Sequence, residues 1–308
     1  NQRNYGGGLY ALNSVLLITN CLFRNNYMNS GEWMYHGSAW GAGAAILGGR
    51  CAIGNCDFYQ NNSFGRGLQG GYGGGLYLQG TAGHTVDKCR FIQNYASGYT
   101  GRGGALYAAG SGVGTFSGCT IVSNVSLYYG GGVHMAGGYL RNSLVCYNAV
   151  GANTDCSGGG IRLEGGVVEN CTIAQNTSTY NSGGLSMTAG AVTNTIVYYN
   201  TRLDDAAHAN VSQTGGTIDY SCTTPVIGGT SNVTDDPQFN GRLTGDFTIQ
   251  PGSACINAGI NADWMTGAND LGGNINRIIN ATVDIGCYEN NPAIGPLTCN
   301  FVAAPREG

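Results

Sequence analysis

Apolar and polar side chains alternate in short segments that follow runs of glycine. Residues 75–79 read Gly-Leu-Tyr-Leu-Gln, and residues 160–164 read Gly-Ile-Arg-Leu-Glu. Alternation with a period of two is typical of a β-strand with one buried face. The segments show no helical face, so the pattern predicts an all-β protein built from short strands.

A motif of the form Cys-x-[Phe/Ile]-x-x-Asn recurs along the first two thirds of the chain. In two copies Ser143 and Thr195 replace the cysteine. The closest copies lie 24 residues apart, which predicts coils of three short strands and three turns. One such coil cannot bury its own apolar face, so we expect the coils to stack. The seven asparagines of the motif are Asn26, Asn61, Asn94, Asn124, Asn148, Asn176 and Asn200.

A second motif, in which small residues precede an aliphatic one, alternates with the first. Together the motifs predict a right-handed parallel β-helix of about seven or more coils over residues 1–222. We expect equivalent residues to stack, with the motif asparagines forming a structural ladder in tight turns that tolerate left-handed backbone angles. The aliphatic positions are Leu9, Ile46, Leu76, Leu106, Val133, Ile161 and Leu185.

The repeats resemble those of polymorphic outer-membrane proteins, whose signatures are Gly-Gly-[Ala/Gly]-[Ile/Leu] and Phe-x-x-Asn. Residues 103–106 read Gly-Gly-Ala-Leu, and residues 91–94 read Phe-Ile-Gln-Asn. The resemblance covers roughly residues 5–200. It implies a β-helix displayed on a bacterial surface.

Residues 223–290 are similar to the choice-of-anchor Q domain that follows such β-helices. The similarity rests on Asp-Pro-Gln-Phe at 236–239, on Ser-Ala-Cys-Ile-Asn-Ala-Gly at 253–259 and on Val-Asp-Ile-Gly-Cys-Tyr-Glu at 283–289. The family implies secretion and surface attachment, and we expect this region to be a β-rich cap on the C-terminal end of the β-helix. Ala254 and Cys287 depart from the family pattern. Residues 291–308 form a tail without a hydrophobic sorting signal.

Composition narrows the compartment and the partners. The chain has 12 cysteines, a net charge of −4 and a pI near 5.5. Cysteine-rich chains are typical of oxidising, extracellular compartments. The acidic balance argues against nucleic acid and anionic lipid as partners. No transmembrane segment, metal or cofactor is expected.

The cysteines of the first motif are predicted to be stacked, buried thiols, and ladder disulfides are the alternative. Cys146 with Cys156 is a candidate disulfide outside that column. Cys255 with Cys287 is a second candidate, because the departure at Cys287 from the choice-of-anchor pattern adds a cysteine. Spacing alone does not determine the connectivity.

The residue that directly follows each inward aliphatic residue is predicted to face solvent. These residues form an outward row. Aromatic and hydrogen-bonding side chains in such a row suit the binding of sugars, whereas the alternative is an ordinary β-surface. The row consists of Tyr10, Leu47, Tyr77, Tyr107, His134, Arg162 and Ser186. The candidate ligand-binding residues are Tyr10, Tyr77, Tyr107, His134 and Arg162 of this row, together with Glu164, which lies two positions after Arg162.

The sequence thus favours a secreted or surface-displayed structural or adhesive β-helix that self-associates end to end or joins a larger assembly, such as a filament. This expectation follows because Asn1–Tyr10 enters directly into a coil, whose open edge needs either further chain before Asn1 or another molecule to cover it. A carbohydrate-active enzyme (lyase or hydrolase) and a non-catalytic glycan-binding module are the alternatives. No column of paired carboxylates is found, and Asp155, Asp204 and Asp205 lie in variable loops. His134 with Arg162 and Glu164 is the best candidate cluster, and a surface salt bridge is its plainer interpretation.

Overall fold

The computed structural model of the chain describes residues 2–30, 37–66, 68–80, 83–151, 155–205, 209–273 and 276–290. Within these ranges the chain winds through three eight-stranded parallel sheets in the same order in every coil. The protein is a right-handed parallel β-helix, as the repeat predicts, and parallel crossovers take this hand almost without exception. The predicted tail, residues 291–308, lies outside the described residues.

Each coil contributes one strand to each of the three main sheets. The first sheet consists of Leu9–Leu12, Ala44–Leu47, Leu76–Gln79, Leu106–Ala109, Val133–Met135, Ile161–Leu163, Leu185–Met187 and Val211–Gln213. The second sheet consists of Val15–Thr19, Arg50–Gly54, His84–Asp87, Gly114–Ser117, Tyr139–Arg141, Val167–Glu169, Ala191–Thr193 and Thr217–Asp219. The third sheet consists of Leu22–Arg24, Asp57–Tyr59, Arg90–Ile92, Thr120–Val122, Leu144–Cys146, Thr172–Ala174, Ile196–Tyr198 and Cys222–Thr223.

Two smaller sheets accompany the coils and were not predicted. Each strand of a seven-stranded fourth sheet begins directly after a motif asparagine, and each strand of a three-stranded side sheet shortly precedes a strand of the first sheet. The fourth sheet consists of Tyr27–Asn29, Asn62–Phe64, Tyr95–Ser97, Val125–Ser126, Ala149–Val150, Thr177–Ser178 and Thr201–Arg202. The side sheet consists of Gln2–Tyr5, Gly37–Trp40 and Gly71–Tyr72.

The interior is a set of stacked apolar columns. The rings of Phe23 and Phe58 stack with centroids 4.7 Å apart, and Phe58 stacks on Phe91 at 4.8 Å. These distances equal the spacing of neighbouring strands, so each ring lies directly above its equivalent. In the second coil Ala44 pairs with Leu76, and Ile46 pairs with Leu78. The predicted equivalence of Ile46 with Leu76 was therefore wrong by two residues.

The asparagine ladder is formed. Asn94 Nδ2 donates to Asn124 Oδ1 at 2.9 Å, and Asn124 Nδ2 donates to Asn148 Oδ1 at 3.0 Å. Each amide oxygen also accepts the backbone N–H of the preceding ladder residue, as Asn124 does from Asn94 at 2.8 Å. The left-handed residue of the turn is the one before the ladder asparagine, for example Gln93 with φ 55° and Ser123 with φ 57°. The ladder asparagine itself therefore supplies hydrogen bonds and not the turn angle.

The cysteines of the motif occupy a second stacked corner. Cys119 Sγ bonds to the carbonyl of Ser117, two residues earlier, and Ser143 Oγ does the same with Arg141. The Cys119 N–H donates to Ser143 Oγ in the next coil at 3.1 Å. A small side chain that can both donate and accept suits this corner, which explains why Cys, Ser and Thr interchange there. In the described residues these cysteines are thiols, and all but Cys21 are buried.

Residues 224–290 continue from the last coil and pack mainly along the side of the β-helix. Ile227 contacts the interior at the end of the stack, and the hairpin strands Phe239–Gly241 and Asp246–Ile249 follow. A short 3-10 turn, Asp263–Met265, comes next. Phe247 and its neighbours form an apolar cluster with the outward side chains of the third sheet. Most of the region expected at the end of the rod thus lies against its flank.

Candidate binding site

The outward row exists, with one change of register. The residues that pair across successive strands of the first sheet at this position are Tyr10, Ala45, Tyr77, Tyr107, His134, Arg162, Ser186 and Ser212. Ala45 occupies the place predicted for Leu47, because the second coil is shifted by two residues. Leu47 pairs with Gln79.

Much of the row is buried, contrary to expectation. Tyr10 is 47% exposed, whereas Tyr77 is 1% exposed and His134 is fully buried. A second row, which we call the covering row, lies against the first. Trp40 meets Tyr77 edge-on at 4.7 Å, and Tyr129 lies 6.2 Å from His134. The covering row consists of Tyr5, Trp40, Tyr72, Arg102, Tyr129 and Ser157. The predicted aromatic face is therefore largely the buried layer between two rows.

The sequence carries a signal for the covering row. Each of its members stands directly before a glycine that opens the small-residue motif, as in Tyr72-Gly73 and Tyr129-Gly130. Both of these glycines have φ 61°, a left-handed angle that fits a turn into the first sheet. The residue before the turn is then held beside the first sheet in the first six coils.

His134, Arg162 and Glu164 form the cluster predicted from the sequence. His134 Nε2 lies 3.2 Å from Glu164 Oε2, and Arg162 Nε donates to Glu164 Oε1 at 3.3 Å. The hydrogen bond from His134 lowers the pKa of Glu164 to about 2, and the positive charge of Arg162 acts in the same direction. Burial lowers the pKa of His134, so its imidazole is neutral at neutral pH and donates to an ionised carboxylate.

A pocket of about 270 Å³ opens where the row passes from aromatic to polar residues. The Arg162 guanidinium lies beneath Tyr129, with its central carbon 4.7 Å from the ring centroid, and donates to Ser186 Oγ at 2.8 Å. Tyr128 is partly exposed, and its hydrogen bond with Tyr129 raises the pKa of Tyr128 to about 12. The remaining walls are Asp155, Ser157, Asn181, Met187, Thr188, Ser212 and Thr214.

The pocket offers hydrogen-bonding groups of both kinds around one guanidinium. Hydroxyls can donate or accept, the Asp155 carboxylate accepts, and the Asn181 amide does both. Of the six residues predicted to bind ligand, only Arg162 lines the pocket. Glu164 and His134 support Arg162 from the neighbouring positions, and Tyr10 lies five strands away, roughly 24 Å at the usual strand spacing.

The predicted cysteine pairs are not joined. Cys146 faces outward from the third sheet into the apolar cluster under the C-terminal region, whereas Cys156 Sγ lies 3.8 Å from Ser178 Oγ beside the fourth sheet. These two thiols are therefore in separate environments. Cys255 and Cys287 share the apolar cluster, and both are thiols.

The part of the chain that the structure describes shows neither a metal-ion site nor a membrane-spanning helix. No group of three or more His, Cys, Asp or Glu side chains there could hold a metal ion. Helices long and apolar enough to cross a membrane are also absent from the described ranges.

Comparison with known proteins supports the β-helix fold and does not indicate an activity. The family described as right handed beta helix region matches residues 1–144. No curated protein matches the chain.

Proposed function

We propose that this protein is an extracellular, surface-displayed adhesive β-helix that binds a polysaccharide in the Arg162 pocket without cleaving it. The observation that carries the proposal is the pocket itself, a polar cavity with a partly exposed tyrosine ring at its rim. Sugars present hydroxyls to such polar walls and a C–H face to an aromatic ring. The repeats and the region 223–290, through their resemblance to surface proteins, support the location.

The interactions of the Glu164 carboxylate, beside the pocket, favour binding over hydrolysis. A glycosidase needs a protonated carboxyl as general acid, with a raised pKa. The pKa of Glu164 is shifted the other way, because His134 and Arg162 stabilise its ionised form. Glu164 also holds Arg162 in place through the contact at 3.3 Å. The interactions of Glu164 are those of a positioning residue.

Binding is tested by affinity electrophoresis and calorimetry of the whole chain with neutral and uronic-acid polysaccharides. We expect Arg162→Met to weaken binding by roughly 10- to 100-fold, since it removes hydrogen bonds to a charged group. Tyr128→Ala should weaken binding as well. Arg50→Met and Tyr27→Ala are the matched controls, because both residues are exposed and lie on other sheets. Unchanged affinity in Arg162→Met and Tyr128→Ala, or release of shortened chains, would contradict the proposal.

Self-association is a second candidate, favoured by an exposed apolar surface on the first coil. Val15 is 85% exposed and Leu17 is 78% exposed, and Leu12 and Leu22 lie on neighbouring strands of the same coil. Surfaces of this kind are typical of protein contacts. Sedimentation velocity over a range of concentrations tests it. Assembly that Leu17→Lys abolishes would support this surface, and a monomer at every concentration would exclude it.

A further inference from the structure

Four buried cysteines lie along the surface where the C-terminal region packs on the β-helix. Cys146 and Cys222 belong to the third sheet, whereas Cys255 and Cys287 belong to the C-terminal region. All four have no exposed surface and share one apolar cluster with Phe247. Each is a thiol in the structure. Any bond between the two pairs of cysteines would tie the C-terminal region to the coils.

The four thiols are not equivalent neighbours. The Cys222 thiol bonds to the carbonyl of Asp235 at 3.3 Å and lies beside the Cys255 side chain in the apolar cluster. That contact and burial both raise the pKa of Cys222. The N–H of Cys287 instead donates to Thr172 Oγ1 at 3.2 Å. Since Thr172 pairs with Ile196, which pairs with Cys222, Cys287 contacts a strand two coils away from Cys222.

We propose that Cys222 and Cys255 form a disulfide bond in the mature protein, and that this bond fastens the C-terminal region to the last coil. The partner of Cys255 is then Cys222 and not Cys287, which the sequence suggests. The bond closes a loop between residues distant in sequence but adjacent in the fold. A cross-link of this kind stabilises the folded state by restricting the unfolded chain.

The oxidant is a disulfide of the thiol–disulfide exchange class, such as oxidised glutathione. One cysteine thiolate attacks the donor disulfide, forming a mixed disulfide and releasing one donor thiolate. The second cysteine thiolate then attacks the cysteine sulfur of the mixed disulfide and releases the other donor thiolate. The two cysteines lose two protons to solvent and two electrons to the donor, whose two thiolates take up two protons from solvent and end as thiols. Because both sulfurs are buried, the exchange precedes docking of the C-terminal region or follows its opening.

Disulfide mapping tests the proposal on the full chain refolded in a glutathione redox buffer. Free thiols are alkylated, the protein is digested without reductant, and the peptides are identified by mass spectrometry. We expect a linked pair of peptides carrying Cys222 and Cys255, and none in a reduced sample. Oxidation should raise the thermal midpoint of unfolding by about 5 °C. Recovery of both cysteines in alkylated form, or of Cys255 joined to Cys287, would overturn the proposal.

Two variants separate the bond from general effects on packing. In Cys222→Ala the linked peptides should disappear, Cys255 should be alkylated, and the oxidised and reduced forms should unfold at the same temperature. Cys146→Ala removes a thiol from the same cluster and should keep both the link and the difference between the two forms. A difference in unfolding temperature between the oxidised and reduced forms of Cys222→Ala would contradict the disulfide between Cys222 and Cys255.

Discussion

At the scale of single residues, the ladder asparagines show why the repeat tolerates so little change. The side chain of Asn124 donates to Phe91 O, Val122 O and Asn148 Oδ1 and accepts two bonds from Asn94. The position of this residue could be predicted from the seven-fold motif. Its partners in the neighbouring coils could be predicted as well, because stacking brings equivalent residues together. Asn210, which continues the ladder from Asn200, could not, because it lies outside the motif spacing.

Replacement of a central ladder residue should be costly. Asn124→Ala leaves the buried N–H of Asn94 without its partner and removes the side-chain bonds to Phe91 O and Asn148 Oδ1. We expect a loss of about 3–5 kcal/mol in the free energy of unfolding. Equilibrium denaturation in urea measures it. Asn240→Ala is the control, because Asn240 is exposed and donates only to Thr248 Oγ1 among the bonds found, so its loss should stay below about 1 kcal/mol. Equal effects of the two substitutions would contradict this account.

The Glu164 interaction predicts a dependence of stability on pH. Because the pKa of Glu164 is lowered to about 2, its ionised form stabilises the folded state above its ordinary pKa of 4.5, and that contribution is lost as the pH falls towards 2. Solvent screens the partly exposed carboxylate, so we expect about 1 kcal/mol. Glu164→Gln should lower stability at pH 7 and match the wild type near pH 2. Asp263→Asn, at an exposed carboxyl, should show no such convergence.

At the scale of the elements, strands of the three main sheets were predictable and the additional strands were not. Period-two alternation and recurring motifs identify a strand, and they fail in the fourth sheet, whose strands of two or three residues carry no motif of their own. The register of the second coil was missed because Ala44 and Ala45 stand where other coils have larger side chains. The buried state of Tyr77 was missed for a related reason, since Trp40 and Tyr72 lie on short strands between the motifs.

The corner before the third sheet offers a test of turn geometry. Lys88 has φ 51° there, whereas Gly118 takes the equivalent place one coil later with φ 61°. A left-handed angle is strained for lysine and relaxed for glycine, so Lys88→Gly should stabilise the protein by about 0.5 kcal/mol. Lys88→Ala keeps the Cβ and should bring no gain. Thermal unfolding of the wild type and the two variants measures these differences in stability. A gain in stability in Lys88→Ala would mean that the lysine side chain, and not the backbone angle, is the cause.

At the scale of the whole molecule, the position of the C-terminal region follows from contacts that local sequence does not reveal. The outward side chains of the third sheet, among them Leu144 and Ile196, are apolar where an ordinary surface would be polar. An apolar outward face predicts that another segment of protein covers it, but it does not predict which segment that is. The hydrogen bonds from Cys287 to Thr172 and from Gly286 to Asn194 then fix the covering segment to particular coils.

Removal of one ring should loosen this region while the β-helix stays intact. Phe247 is buried, meets Phe239 edge-on at 5.3 Å and lies 5.9 Å from Tyr147 of the β-helix. Phe247→Ala should cost about 3–4 kcal/mol, drawn from the packing of the C-terminal region on the flank. In a solenoid each coil is held by its neighbours, so the first coils should keep their stability.

Amide hydrogen exchange distinguishes loosening of the C-terminal region from loosening of the coils. It is measured under reducing conditions, where no disulfide can hold the C-terminal region. In Phe247→Ala we expect faster exchange in residues 239–249 and 283–289 and unchanged exchange in residues 44–109. Phe116→Ala, a deletion of the same size inside the coils, should reverse the pattern, with faster exchange in the coils around residue 116. Loss of protection throughout the chain in Phe247→Ala would mean that the flank and the coils unfold as one unit, and that the C-terminal region is part of the folding core of this β-helix.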